Sequence, residues 1–194
     1  MYYGGVSGRG VGKMLGMGKE NVVRWIKKTN SLKSEPPEQM ALVEMDELYW
    51  YIGKKPRTKT REDAYILTMV SRKPRQIVGW EVAMNKATRT IQHMVDRAPE
   101  AALYYTDGYV GYLDVVFPGR HIPNARDKSN TFTVEGVNAD QRHYIPGLAR
   151  RRRCFYRKLD TLAAVLRLFV HAYNSFGLAK WRHPYLPCSL FDFL

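Results

Sequence analysis

Cysteine is scarce in this sequence, with only Cys154 and Cys188, far apart and without a CxxC spacing. That pattern argues against a disulfide framework and against a cysteine zinc site, and it fits a reducing cytosol. Long apolar runs are missing too. None reaches the roughly 18–20 residues of a membrane span, and the longest candidate, Leu159 to Tyr173, is broken by Asp160 and Arg167. The N-terminus has no apolar signal-peptide core, so the expectation is a soluble, cytoplasmic protein with no membrane partner. The five histidines form no HxxxH or HExxH pair, which argues against a zinc hydrolase. Gly8 to Lys13 lacks the strand and spacing of a nucleotide-binding loop, so ATP is not expected.

Acids are also in short supply. Lys and Arg number 31 against 18 Asp and Glu, a net charge of +13, which favours a polyanionic partner such as nucleic acid. At 194 residues and 45% hydrophobic content, the chain can bury one main domain's core with a small appendage. Residues 1–30 read as that appendage. Val11, Met14 and Leu15 make one helical stripe, Gly16 to Gly18 break it, and Lys19 to Lys28 resume helical spacing with Val22, Val23 and Ile26 inward. Helix, glycine-containing turn and second helix form a helix-turn-helix order. The second helix would expose Lys19, Asn21, Arg24 and Lys27 to phosphates and base edges of double-stranded DNA. An ordinary helical hairpin is the plain alternative.

Residues 31–40, with Pro36-Pro37, read as a linker, residues 41–176 as the main domain and 177–194 as a tail. In the main domain, Leu42 to Tyr51, Tyr65 to Ser71 and Ile77 to Met84 are strand-like. Thr88 to Ala98 is helical with Thr88 as its N-cap. A short buried strand, Ala101 to Thr106, ends at Asp107, where Gly108 is expected to allow a tight turn. A further strand is expected near His121, then helices over Thr131 to His143 and Asp160 to Ser175. This order predicts an α/β fold with a mixed sheet flanked by helices.

In so basic a chain, acids inside apolar strands stand out. Asp46 lies in the first strand and Asp107 ends the short buried one. A buried carboxylate is costly unless a cation or metal relieves it, and hard divalent ions take carboxylate oxygens. Asp46 and Asp107 are 61 residues apart (107 − 46), room for two strands and a crossover helix, so both can lie on neighbouring strands. Glu135 follows 28 residues later (135 − 107) on a helix, where Glu135, Asn138 and Arg142 share one face at i, i+3 and i+7. That face offers an acid for metal, an amide, and a cation for phosphate. Each acid also has a plain reading. Asp46 shares a strand face with Glu44 and Leu48 and could be an exposed strand acid, Asp107 could cap its own turn, and Glu135 could be a surface acid.

Val43 to Lys55 around Asp46, Tyr104-Tyr105-Thr106-Asp107-Gly108-Tyr109, and Thr133 to Arg142 with Leu148 to Phe155 resemble, in order, the three motifs of insertion-sequence-one family transposases. The resemblance spans roughly residues 5–175. It implies a ribonuclease-H-like catalytic domain whose DDE triad, Asp46, Asp107 and Glu135, binds two Mg²⁺ or Mn²⁺ ions. The triad would direct water at DNA ends bearing terminal inverted repeats, then the freed 3′-OH at target DNA. Asn138 and Arg142 would support the triad or touch phosphate. A reaction that joins two ends implies a homodimer or larger assembly on DNA, in a bacterial cytoplasm and associated with the nucleoid. Arg150, Arg151, Arg152 and Arg153, with Arg157 and Lys158, put six cations in nine positions just after the third motif, and are expected to track a DNA backbone. The loop Lys54 to Arg61 is a second such candidate. The family's cysteine zinc element has no counterpart here, and the tail from Trp181 to Cys188 matches nothing in the family, so an N-terminally shortened product is expected. Two alternatives stay open: a catalytically idle transposase product acting as a DNA-binding regulator, and a related ribonuclease-H-like DNA nuclease.

Overall fold

Branched and aromatic residues alternate between two faces along Leu42–Gly53, and this segment becomes β1, the central strand of a five-stranded sheet. The computed structural model describes residues 8–28, 40–53, 61–123, 130–149 and 156–176. β2 (Arg61–Ser71) and β3 (Gln76–Ala83) follow β1 as an antiparallel meander. β4 (Leu103–Thr106) pairs parallel to the other side of β1, and β5 (Arg120–Pro123) pairs parallel to β4. The strand order is therefore β3-β2-β1-β4-β5, a mixed sheet.

Helices cover both faces. α3 (Thr88–Arg97) lies between β3 and β4 in the chain and buries Ile91, Met94 and Val95 against Val43, Met45, Leu67 and Met69. On the opposite face, α4 (Phe132–Tyr144) and α5 (Leu159–Phe176) bring Val134, Val137, Leu162 and Phe169 onto Leu48, Trp50, Ile66 and Val70. The odd and even residues of β1 thus feed two separate cores, as a period of two requires. The expected α/β class, a mixed sheet flanked by helices, is the architecture found.

α5 also closes the β3 edge. Asn174 accepts a hydrogen bond from the Ile77 N–H (2.9 Å) and donates one to the Ile77 carbonyl (2.8 Å), much as a neighbouring strand would. The two N-terminal helices, α1 (Gly8–Met14) and α2 (Lys19–Lys28), are joined by a turn in which Gly16 has φ 64°, a left-handed conformation suited to glycine. Val11, Val22 and Ile26 join the α4–α5 core.

Two local expectations are corrected. Met14 and Leu15 are exposed rather than inward, because α1 ends at Met14 and meets the following turn through Gly12. A Cβ at Gly12 would lie 2.5 Å from the Met17 carbonyl oxygen, so only glycine allows this approach. Thr88 is not the N-cap of α3. Ala87 holds that position, the Thr88 hydroxyl donates to the Gly111 carbonyl, and Asn85 accepts from the Ala87 N–H and the Thr90 hydroxyl. At Gly108 the chain does bend, and it does so without a left-handed φ, since among the described residues only Gly16 and Gly53 have positive φ. Among the described residues, no helix is long and apolar enough to cross a membrane.

Candidate metal centre

The parallel ladder sets the geometry. Leu42 pairs with Leu103 and Glu44 with Tyr105, a constant offset of 61 (103 − 42). Asp46 and Asp107 differ by the same 61 (107 − 46), so continuing the register two residues past Glu44 puts them opposite each other. β4 ends at Thr106, and Asp107 is the first residue beyond it. The Tyr109 N–H donates to Asp107 Oδ1 (2.9 Å), so the aspartate does cap the departing turn, as its plain reading held, and this leaves Oδ2 for other work. Thr106 is tied to β5 through a 2.8 Å contact between its hydroxyl and His121 Nε2.

Three carboxylates converge here. Asp46, Glu47 and Asp107 each offer an oxygen, and the three atoms lie within 4.8 Å of one another. Consecutive residues of β1 point to opposite faces of the sheet. With β4 ended, both can turn toward the open edge where Asp107 sits.

Electrostatics reflect the crowding. Burial pushes the Asp46 carboxyl above its usual range and nearby Asp107 and Glu135 push the same way, while hydrogen bonds from the Glu47 backbone and the Asn138 amide oppose them. Glu47 is raised from 4.5 to about 7, first by burial and then by Asp107 and Asp46, with Lys86 and a side-chain contact from Tyr112 opposing. Tyr112 is raised far above the ordinary tyrosine range, chiefly by burial and then by Glu47, Asp46 and Asp107. The Lys86 ammonium stands 4.0 Å from Glu47 Oε2 and 3.6 Å from the centre of the Tyr109 ring. A hard divalent cation fits this donor set. All three candidate donors are carboxylate oxygens, their mutual repulsion is only partly offset, and the buried Glu47 Oε1 has no hydrogen-bond partner of full geometry.

α4 is held over the site by a fourth acid. Glu44 is fully buried, and its Oε2 accepts from the backbone N–H groups of Thr133 (2.7 Å) and Val134 (2.9 Å) in the first turn of α4. Thr131, at the N-cap, makes no side-chain cap bond, so a carboxylate from β1 does that task and also meets the positive end of the helix dipole. Arg72 Nε donates to Glu44 Oε1 at 2.6 Å, and its guanidinium also reaches the Asn130 carbonyl and lies over the Phe132 ring. One result is that the Asn138 amide donates to Asp46 Oδ2 at 2.8 Å. Gln141, a turn further on, donates to the hydroxyl of Thr68, the β2 partner of Asp46.

The predicted site residues separate into groups. Asp46 and Asp107 are brought together, and Asn138 bonds to Asp46. Glu135 is exposed on the first turn of α4, accepts a 3.4 Å bond from the Thr131 hydroxyl, and lies outside the tight acid cluster, though its charge acts on Asp46. Arg142 is half-buried further along the same helix. Lys19, Arg24 and Lys27 are exposed on α2, and the half-buried Asn21 accepts from Arg24. Arg150 to Arg153, the loop from Lys54 to Lys59, residues 31–39 of the linker and the 177–194 tail lie outside the described residues.

Sequence reasoning passed over Glu47, Glu44, Lys86 and Tyr112. Glu47 carried a weak signal as an acid in a strand that was buried on both faces. Lys86 and Tyr112 carried none, because only the folded β3–α3 and β4–β5 connections bring them to the acids. In comparisons with known proteins, no protein-family model matches this chain and no curated protein matches it.

Proposed function

We propose that this chain is a metal-dependent DNA strand-transfer enzyme, a DDE transposase on a ribonuclease-H-like fold. The observation that carries the reading is the parallel β1–β4 register, which sets Asp107 opposite Asp46 at the open end of β4, with Asn138 of α4 bonded to Asp46. The β3-β2-β1-β4-β5 order, with its antiparallel meander and parallel pair, is compatible with that fold. Asp46 and Asp107 would hold the ions, and Glu135, on the helix that overlies them, is close enough for its charge to act on Asp46. Two Mg²⁺ or Mn²⁺ ions, when bound, supply the charge that activates an attacking oxygen and stabilises a leaving 3′ oxygen. The chain's own part is orientation. Asn138 fixes the Asp46 carboxylate, and Glu44 fixes the helix that carries Asn138. The net charge of +13 and the exposed cations of α2 suit a DNA backbone.

The test uses purified protein and DNA carrying the repeats that flank its gene, with Mg²⁺ or Mn²⁺. Asp46→Asn and Asp107→Asn are expected to cut nicking and strand transfer by roughly a thousandfold or more, and Glu135→Gln to reduce both, while gel-shift binding persists. Cleavage that survives Asp46→Asn or Asp107→Asn overturns the reading. The position of Glu135 outside the acid cluster favours one second reading, a DNA-bound regulator that does not cut. Specific binding by the unaltered chain with no metal-dependent cleavage would select it.

A further inference from the structure

The acid at position 47 is not accounted for by the triad. Its side chain is only 5% exposed, although the residue as a whole is half-buried, and Oε1 has no hydrogen-bond partner of full geometry. A second polar atom is stranded beside it. The Tyr112 hydroxyl, on a residue of the β4–β5 connection that is 1% exposed, makes no hydrogen bond of full geometry either; its contact with the Glu47 side chain is close enough to act on both groups, yet satisfies neither. Glu47 and Tyr112, from different segments, therefore meet at one carboxylate cluster with no well-formed hydrogen bond to satisfy either. Buried polar groups in folded proteins nearly always find partners, so a pair left open at one point marks a place where something else binds.

The nearby cation does not fill that need. Lys86 Nζ is 4.0 Å from Oε2, longer than a hydrogen bond, and leans on the Tyr109 ring instead. Arg72 is already engaged by Glu44. Among the described residues, three converging carboxylates thus face one loosely held ammonium. A small, hard, doubly charged ion meets both deficits, since it takes carboxylate oxygens at close range and offsets their repulsion.

We propose that Glu47 is a direct ligand of a divalent cation, so that two successive residues of β1, Asp46 and Glu47, grip the ion together with Asp107. This rests on the metal-dependent reading of the site. Glu135 then serves a second ion rather than completing the first. Lys86 acts as a loosely held countercharge that the ion displaces from Glu47, and the Tyr112 hydroxyl gains a fixed carboxylate to donate to.

The deciding measurement is Mn²⁺ binding to the full chain without DNA, followed by calorimetry and by the loss of the free-ion paramagnetic resonance signal. Glu47→Gln is expected to weaken the tighter Mn²⁺ site by at least about tenfold. Glu47→Asp, which keeps the charge but is one methylene shorter, should fall between it and the parent. Glu135→Gln should change that site by less than about threefold, and Lys86→Met should leave it unchanged or tighter, since a competing cation is gone. If Asp46→Asn removes binding while Glu47→Gln and Glu47→Asp leave it at the parent value, Glu47 is not a ligand and the metal centre stands without it. If the unaltered chain binds no Mn²⁺ up to millimolar concentration, the metal centre itself fails and Glu47's role fails with it. Thermal melting in EDTA serves as the folding control, and Glu47→Asp carries the test should Glu47→Gln not fold.

Discussion

Replacing Glu44 by glutamine is expected to lower the unfolding free energy by about 3–5 kcal/mol, the loss typical of breaking a buried ion pair from one side. The side chain is fully buried and does three things at once. It pairs with Arg72 at 2.6 Å and accepts two N–H groups at the start of α4. Glutamine keeps the shape, but it has one acceptor oxygen where the carboxylate had two. Either the helix N-terminus or the guanidinium is then left facing an amide N–H₂, and Arg72, a quarter exposed, keeps a partly buried charge without its partner. Urea unfolding should show the midpoint falling with little change in slope. Arg72→Met should also destabilise, and the double variant should lose clearly less than the two single losses added, because the groups act as a unit. A loss below about 1 kcal/mol for Glu44→Gln would show that α4 is seated by its apolar face alone. Because α4 carries Asn138 and Glu135, the same change should loosen the grip on Asp46 and, under the proposed function, weaken cleavage.

The second large effect is a stability that falls as pH rises when no divalent ion is present. Glu47 is raised from 4.5 to about 7. The folded state therefore holds the proton more tightly than the unfolded chain does, and between those values it binds more protons. Stability from this group is fully present below about pH 4.5 and is lost as pH climbs through 7. At about 1.4 kcal/mol per unit, the loss by pH 8 is about 3 kcal/mol. The groups facing Glu47 are Lys86 and Tyr112, which oppose the shift, and Asp107 and Asp46, which add to it. Asp46 is raised as well and adds to the slope in the same direction, above its own ordinary range. His121, lowered by burial, works the other way, gaining stability as pH rises through its range, so the clean readout is a difference between variants. In EDTA, Glu47→Gln should flatten the slope of Tm against pH from 5 to 8 and should be the more stable protein at pH 8. Parallel pH profiles for the two proteins would count against a buried, proton-holding Glu47. Millimolar Mg²⁺ should recover stability at pH 8 in the parent and much less in Glu47→Gln, by binding only the folded state.

Much of the framework was legible in the residues themselves. Aromatic and branched content marks β1, the expected strand Tyr65 to Ser71 lies inside β2, and the expected helices match 132–144 and 159–176 to within a residue or two. β2 begins earlier than expected, at Arg61, because pairing with a twelve-residue β1 draws polar residues such as Glu62 and Asp63 into the ladder. The interval of 61 between Asp46 and Asp107 was also visible, and it proves to be the register offset of two parallel strands.

The sequence by itself therefore determined the α/β class and pointed to two acids of the cluster, because the branched and aromatic content of strands and acids within apolar runs are local signals. Only the tertiary structure decided which third carboxylate joins them and what holds it there. Glu47 joins because β4 stops one residue short of Asp107 and opens the edge of β1. Glu44, which looked like a companion of Asp46 on a strand face, is instead the cap of a helix 89 residues away in the chain. Such roles depend on where a helix end, a strand end and a loop lysine meet in space, and no spacing along the chain records that.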